Sequence, residues 1–187
     1  MLVRVTRVPT DADWIRCKEF ALATAGKAIT TLPSTEWKRK ILLAEHSPIR
    51  TLMFTVVFTD IPYWVAMHFA RHHEGVVPYI RTQRNDRQSA YDRTQAPQSA
   101  PVTMILDMNA QALLQISRKR LCNKCAPETR EAWEAAVSEV LAKCPEFLGI
   151  LVPQCVHDGN TCREFNGCGL CPQLSELKGE VAEDEDE

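Results

Sequence analysis

The fold is decided by residues 51–73, which read TLMFTVVFTDIPYWVAMHFARHH. The first nine of these residues are mostly apolar and β-branched, a pattern that is typical of a buried strand. Pro62 then suits the first turn of a helix, where no backbone N–H donor is needed, and we predict a helix from Pro62 to about His72. The sequence therefore places Arg71, His72 and His73 together at the end of a helix that follows a buried strand.

Strand and helix patterns alternate along the rest of the chain. Thr35 is expected to cap the second helix and Asn109 a later one. Residues 74–100 are rich in Arg, Gln, Ser and Pro, so they are predicted to be a long loop that is functional or disordered. This order of elements indicates an α/β or α+β fold. The further predicted strands are 2–8 and 102–107, and the further predicted helices are 11–27, 35–45, 109–121 and 127–143.

The composition is that of an ordinary globular protein, with 45% hydrophobic and 25% charged residues. No apolar run reaches the roughly 18 residues of a membrane span and the N-terminus lacks a signal-peptide pattern, so we expect a cytoplasmic protein without a membrane partner. Six of the last nine residues are acidic, and residues 175–187 are predicted to be a disordered acidic tail. The mildly basic remainder suits a small phosphorylated ligand but lacks the basic stripe of a nucleic-acid-binding protein.

Two basic clusters are candidate phosphate sites. Five arginines lie between Arg71 and Arg93, against three acids. The planar guanidinium of arginine binds phosphate through two hydrogen bonds, so this loop is suited to closing over a phosphate or diphosphate. Residues 118–120 read Arg-Lys-Arg at the end of a predicted helix, where the helix dipole alone also favours cations. The charge pattern therefore leaves both phosphate binding and a solvated basic face open.

Eight cysteines are many for a cytosolic chain. Cys17 and Cys144 lie in apolar helical patterns and are predicted to be core residues. The other six belong to two groups, and a structural zinc site is preferred over free thiols, disulfides or an iron–sulfur cluster, because zinc stabilises a Gly/Cys-rich segment that lacks its own core. The preferred ligands are Cys122, Cys155, Cys162 and Cys168, with Cys125 and Cys171 as competitors.

Two segments of the chain resemble the flavin-dependent thymidylate synthases. The first runs from Ser47-Pro48 through the strand 52–58 to Arg71-His72-His73, and it is similar to a Thr-Pro turn, a strand and a helix that ends in an Arg-His-Arg signature. The second begins at Asn109 and reaches Arg120, and it is similar to a family segment in which a nucleotide-binding arginine follows an Asn-Ala-Arg start. Neither motif is intact.

This resemblance, over roughly residues 40–145, implies an α/β (α+β) fold in which helices wrap a central, mostly antiparallel sheet. The family-like domain would span residues 1–150, followed by a Cys-rich appendage at 151–174. The resemblance further implies a homotetramer with active sites between subunits, and one-carbon transfer to C5 of dUMP or dCMP. FAD would be the cofactor, with methylene-tetrahydrofolate and NADPH as co-substrates. A catalytically inactive nucleotide-binding homologue and a zinc-dependent interaction module are the alternatives.

The resemblance also assigns roles to residues. Arg120 is expected to hold and polarise the pyrimidine, so the Arg71–His72 helix end and the Arg120 helix end must converge on one cleft. His68, His73 and Gln111 depart from the family pattern. His68 stands in place of a nucleotide-contacting glutamine and presents different donors and acceptors, so with the altered loop it leaves uracil and cytosine open as the base. The implied cofactor-binding residues are Ser47, Arg71, His72, His73, Asn109 and Gln111, and the implied substrate-binding residues are His68, Thr82, Arg84 and Arg120, with Asn85 in place of a loop tyrosine.

Overall fold

The computed structural model describes residues 1–28, 31–82 and 94–173, together with residues 84, 86, 87 and 92. The predicted acidic tail and Asn85 lie outside the described residues. The strands are β1 (Leu2–Arg7), β2 (Met53–Pro62), β3 (Val76–Ile80) and β4 (Pro101–Asn109). The helices are α1 (Asp11–Ala23), α2 (Thr35–Leu43), α3 (Tyr63–Ala70), α4 (Ala110–Arg120), α5 (Pro127–Lys143) and α6 (Gln154–His157), with short 3-10 turns at Ser47–Thr51 and Pro145–Phe147.

The four strands form one antiparallel sheet in the order β1-β2-β4-β3. The long central pair β2 and β4 runs in register from Met53 opposite Asn109 to Phe58 opposite Met104. The register then shifts, and Asp60 has a positive φ of 56° at that point, which is the mark of a bulge. An α+β fold with an antiparallel sheet and surrounding helices is thus confirmed.

Strand β3 lies where the sequence predicted part of the loop 74–100, and that part of the prediction is wrong. The strand pairs with β4 from Val76 opposite Met108 to Ile80 opposite Met104. Pro78 argued against a strand at this position, because proline cannot donate a hydrogen bond to a neighbouring strand and is confined to sheet edges. As the outermost strand of the sheet, β3 tolerates it.

The helix termini differ from the predicted ones in detail. The first two helices end at Ala23 and Leu43, a few residues earlier than predicted. Ser34 caps α2 instead of Thr35, because the serine has the extended backbone that a cap needs while Thr35 is already helical. Asn109 caps α4 as predicted, through its side-chain oxygen.

The core lies between one face of the sheet and the helices. Phe58 of β2 stacks on Phe69 of α3 with ring centroids 5.1 Å apart, and Phe69 also meets Trp133 of α5 at 5.6 Å. These contacts fix α3 against both the sheet and α5, so the end of α3 has a defined position. Burial raises the pKa of Cys17 to about 11 and of Cys144 to about 12, and both are buried as predicted.

The opposite face of the sheet carries apolar side chains in a row across three strands. Val57 of β2 pairs with Ile105 of β4, which in turn pairs with Tyr79 of β3. Val57 and Ile105 are partly exposed, and Tyr79 is 59% exposed. Among the described residues, no helix is both long and apolar enough to cross a membrane.

Candidate functional site

The ends of α3 and α4 meet directly. The Nε of Arg120 donates a hydrogen bond to Nε2 of His72 at 3.0 Å, and its Nη2 donates to the backbone carbonyl of His68 at 2.6 Å. Arg120 is half-buried, so these bonds are shielded from water and hold the guanidinium in one place. The resemblance predicts that these two helix ends lie together, and they do so within a single chain.

Burial is the main cause that lowers the pKa of His72 to about 4, and the guanidinium of Arg120 adds to it. The imidazole is therefore neutral at neutral pH. A neutral ring has one acceptor nitrogen, and because Nε2 accepts from Arg120, the proton lies on Nδ1. His72 thus acts as a hydrogen-bond acceptor that positions Arg120.

The ring of His68 is held from two sides. Its Nδ1 lies 2.9 Å from Oγ1 of Thr129 on α5, and it makes an edge-to-face contact with Trp64 at 5.3 Å between centroids. Burial lowers the pKa of His68, and the charge of Arg120 lowers it further. His68 is therefore a positioned, mainly neutral side chain beside Arg120.

Two adjoining cavities lie along α4, and the first of them reaches this junction at His72. The first, of about 190 Å³, lies between the end of α3 and one face of α4 and is lined by Arg71, His72 and His73. The second, of about 290 Å³, is lined by Arg50 and by the start of α4. Both cavities share Glu74 and Gln115, and the second also contains Gly75, Asn109 and Gln111.

Asn109 and Gly75 form a close backbone contact at the second cavity. The N–H of Asn109 donates to the carbonyl of Gly75 at 3.0 Å, while the Asn109 side chain accepts from the N–H of Ala112 at 2.9 Å. Gly75 has a φ of +71°, and a Cβ at this position would lie 2.5 Å from Nδ2 of Asn109. Only glycine therefore allows β3 to begin against the cap of α4.

Glu45 organises the neighbouring side of the second cavity, and the sequence analysis missed it. Its carboxylate accepts from Nε2 of Gln111 at 2.6 Å and from Arg118. Burial raises the pKa of Glu45, but the hydrogen bonds from Arg118 and Gln111 outweigh burial, and the net pKa is lowered. The amide of Gln111 and the guanidinium of Arg118 are thus held by an acid from the end of α2.

Three of the predicted site residues lie elsewhere. Arg84 donates to both carboxylate oxygens of Asp86, at 2.9 and 2.7 Å, and its backbone N–H donates to Oγ1 of Thr82. Ser47 is exposed at the start of its 3-10 turn. None of Ser47, Thr82 and Arg84 lines either of the two cavities. His68 and Arg120 also line neither cavity, but Arg120 is joined to the first one through its hydrogen bond to His72.

Other cavity residues went unnoticed in the sequence. Gln115 lies one helical turn after Gln111, so the spacing of these two amides on α4 was a usable signal. Arg50 follows the Ser47-Pro48 turn that was singled out, and Glu74 adjoins His73. Gln115, Arg50 and Glu74 each lie within four residues of a position to which the resemblance assigned a role.

The four predicted zinc ligands surround a different cavity, just beyond the end of α4. Cys122, Cys155, Cys162 and Cys168 all line it, together with Cys171. Within the described ranges, no three His, Cys, Asp or Glu side chains are arranged as a ready metal-binding group. The zinc site therefore stays a prediction.

No family model matches the sequence, and no curated protein matches it. Among solved structures, the flavin-dependent thymidylate synthase ThyX from Helicobacter pylori, complexed with FAD and dUMP, superposes with a TM-score of 0.64 at 11% identity, over 81% of this chain and 100% of that chain. The chain has the fold of the flavin-dependent thymidylate synthases. A second Helicobacter pylori ThyX structure, with FAD and dUMP, gives a TM-score of 0.62 at 10% identity, over 81% and 97% of the two chains.

The same fold serves a second activity. The UMP/dUMP methylase PolB from Streptomyces cacaoi, bound with 5-Br dUMP, superposes on this chain with a TM-score of 0.61. The two sequences are 14% identical, and the match covers 81% of this chain and 96% of that chain. At such identities the thymidylate synthase fold is shared, while the substrate has to be argued from the residues of the site.

Proposed function

We propose that this protein is a member of the flavin-dependent thymidylate synthase family and transfers a one-carbon unit to C5 of a pyrimidine nucleotide. The proposed reaction converts dUMP to dTMP with FAD as cofactor, and with methylene-tetrahydrofolate and NADPH as co-substrates. The observation that carries the proposal is the Arg120–His72 hydrogen bond, which joins the two helix ends that carry the residues of the resemblance. The three solved structures named above hold dUMP or 5-Br dUMP, which supports the substrate class.

The residues around the two cavities fit part of a flavin dinucleotide. Arg50 and Arg71 are exposed cations at the cavity walls, as a diphosphate requires. Asn109 and Gln115 add amide groups, which are the donors and acceptors that a flavin ring edge recognises. We therefore assign FAD binding to these cavities, with His72 and His73 at the entrance nearest α3.

Bound FAD would supply hydride transfer, and the protein would supply orientation and charge stabilisation. Arg120 uses two of its five N–H donors within the chain, so the others remain for a pyrimidine carbonyl. A fixed cation at that carbonyl stabilises the negative charge that develops on the ring when C5 acts as a nucleophile. His72 accepts from Arg120 and keeps it aimed, and His68 lies beside the same guanidinium to contact the base.

We further propose that the active enzyme is a homotetramer with sites between subunits, in the cytoplasm. The row Val57, Ile105 and Tyr79 leaves apolar area partly exposed on the sheet, which a second copy would cover. Thr82 and Arg84 line neither cavity of their own chain, as expected of residues that complete the site of a neighbouring copy. In that arrangement Arg84 would leave Asp86 and bind the nucleotide phosphate.

A catalytically inactive nucleotide-binding homologue is the second candidate, and two contacts favour it. Gln111 replaces a family arginine and donates to Glu45, and Arg84 is already paired with Asp86. The neutral Gln111 removes one charged donor, and the ion pair with Asp86 occupies a second, so fewer charged donors are available to phosphates. In the alternative reaction, His68 and the altered loop select dCMP or another pyrimidine nucleotide in place of dUMP.

One experiment separates these candidates. The purified full chain is examined for flavin absorbance, then incubated with methylene-tetrahydrofolate, FAD, NADPH and either dUMP or dCMP, and the nucleotide is analysed by mass spectrometry. A gain of one methyl group on dUMP supports the proposal, and a gain only on dCMP moves it to that base. Unchanged nucleotides with measurable FAD and dUMP binding establish the inactive homologue, and absence of binding overturns the proposed function.

A further inference from the structure

Five cysteines line one cavity of about 320 Å³ that no step of the proposed reaction uses. It lies immediately beyond α4, between the turn that follows Arg120 and the C-terminal segment 154–173. Helix α6, which begins this segment, packs on α4. The thiols come from separate parts of the chain, namely Cys122 after α4, Cys155 in α6, and Cys162, Cys168 and Cys171 further on.

Three of these thiols form a buried cluster of their own. Cys155, Cys162 and Cys171 are 9%, 6% and 7% exposed, whereas Cys168 is exposed. Cys155 and Cys171 are hydrogen-bonded to each other through their side chains, and Cys122 is near enough to Cys155 to act on it electrostatically. The geometry therefore groups Cys171, rather than Cys168, with the other three predicted ligands.

Apolar packing does not account for this burial. In the described part of the chain, the cluster contains only the three cysteines and is separate from the main core, which extends to Leu151. Backbone hydrogen bonds hold the segment together instead. The N–H of Cys162 donates to the backbone carbonyl of Pro172 at 2.8 Å, and the N–H of Thr161 donates to the backbone carbonyl of Cys155 at 3.0 Å. Small segments that lack a core are commonly held by a metal ion.

Burial raises the pKa of the metal-free Cys155 thiol to about 11, and the hydrogen bond with Cys171 adds to this shift. The cavity lining also holds three cations, Lys119, Lys124 and Arg163, and one acid, Glu164. The backbone N–H of Lys124 also points at Sγ of Cys122, 3.5 Å away. Such donors support a metal-bound sulfur by stabilising its negative charge. The cavity thus supplies the soft ligands that a zinc–thiolate centre needs, with a backbone donor at one of them.

We propose that this cavity binds one Zn²⁺ ion through Cys122, Cys155, Cys162 and Cys171. In this set Cys171 takes the place of Cys168, which the sequence had favoured. Because these thiols are not yet arranged as a metal-binding group, binding draws the four side chains inward around the ion. The bond to Cys122 then ties segment 154–173 to the residues that directly follow Arg120. The centre is structural, since four protein sulfurs leave zinc no open position.

The test uses the full chain, expressed with added zinc, and measures metal content by mass spectrometry. We expect about one zinc per chain, as for a four-thiolate structural site, and the charge-transfer and visible bands of tetrahedral thiolate coordination after exchange for Co²⁺. Cys171→Ser should lose most of the zinc, while the matched variants Cys168→Ser and Cys125→Ser should retain it. The cobalt spectrum of the unmutated chain keeps the proposal testable if Cys171→Ser fails to fold.

Several results would overturn the proposal. Purified protein without zinc, or with iron and sulfide in its place, excludes a zinc site. A disulfide between Cys155 and Cys171 that forms in protein expressed with zinc shows that the pair is a redox couple instead. Loss of zinc in Cys168→Ser together with retention in Cys171→Ser restores the set expected from the sequence and rejects the one proposed here.

Discussion

Arg120 at the end of α4 is held by two hydrogen bonds that it donates to His72 and His68. The thiols around the cavity just beyond it are not gathered about a common point in the described structure. The first site rests on α3 and α4, which the sheet and the Phe58–Phe69–Trp133 contacts fix in place. The second depends on a segment with no apolar core. A packed scaffold prepares a site before any ligand arrives, but a segment without a core needs its ligand to complete it.

The largest effect is expected from a substitution in the Arg120 site, which the scaffold holds in place without a ligand and which is called the prepared site below. Replacing Arg120 with alanine removes the cation proposed to stabilise charge on the pyrimidine, so we expect turnover to fall by about 10²- to 10³-fold, the usual cost of losing one such donor. Steady-state kinetics with dUMP measure this, and circular dichroism should show an unchanged fold. Lys119→Ala is the matched control, because Lys119 is the exposed neighbour and lines the cysteine cavity instead. Equal activity of both variants would exclude the assigned role of Arg120.

Gly75→Ala tests how closely the prepared site is packed. An alanine at a φ of +71° costs about 1–2 kcal/mol of backbone strain, and its Cβ would also displace the Asn109 side chain, which lies 2.5 Å from that position. Gly149→Ala is the matched control, because Gly149 has a φ of +74° and a Cβ there would meet nothing within 4 Å. We expect Gly75→Ala to be less stable in urea unfolding and to bind FAD more weakly, about tenfold if the displacement costs about 1.4 kcal/mol.

If Gly149→Ala lowers stability as much as Gly75→Ala and both variants bind FAD equally, the contact with Asn109 has no energetic consequence. The two variants share the positive φ, so only the difference between them reports the displacement of Asn109. The comparison is therefore independent of the value taken for backbone strain.

The pH dependence of stability tests the burial of His72 in the prepared site. The pKa of His72 is lowered from 6.5 to about 4 in the folded chain, so below pH 6.5 the unfolded chain binds the proton more readily. Stability should therefore fall as the pH drops from 6.5 towards 4 and level off below that. For a half-buried group we expect about 1–2 kcal/mol between pH 7 and pH 4.5, from about 1.4 kcal/mol per pKa unit with allowance for solvent screening.

Urea unfolding at several pH values measures this slope, and His72→Asn should reduce it. The asparagine can still accept a hydrogen bond from Arg120, but it does not titrate in this range. An identical slope in the variant would show that other groups, and not the His72 imidazole, cause the loss of stability in acid.

The sequence predicted the elements that carry Arg120 and His72 better than it predicted the contacts between elements, and the reason is the range of the interactions. Strand β2 and helix α3 follow from a local pattern, and Asn109 is a local cap, so residues 51–73 and the start of α4 were recognisable. Glu45 was missed because its partners Gln111 and Arg118 are more than sixty residues away. Strand β3 was missed because its stability comes from pairing with β4.

The cysteines show the same limit. Spacing alone could not rank Cys168 against Cys171, since both belong to one Cys-x-x-Cys pair. The difference lies in burial, because Cys171 is turned into the cluster with Cys155 while Cys168 is exposed. That orientation is set by the backbone closure of the segment, which leaves no periodic signal in the sequence.

The smallest expected effect concerns the support behind His68. Thr129→Val keeps the size of the buried side chain but removes the hydroxyl 2.9 Å from Nδ1 of His68. We expect a loss of about 0.5–1.5 kcal/mol in unfolding free energy, the net value of one such hydrogen bond, and a raised KM for the nucleotide with kcat nearly unchanged. Thr129→Ser keeps the hydroxyl and should restore KM. If the valine and serine variants have the same KM, His68 does not depend on Thr129 for its position, and preorganisation in this site is limited to Arg120.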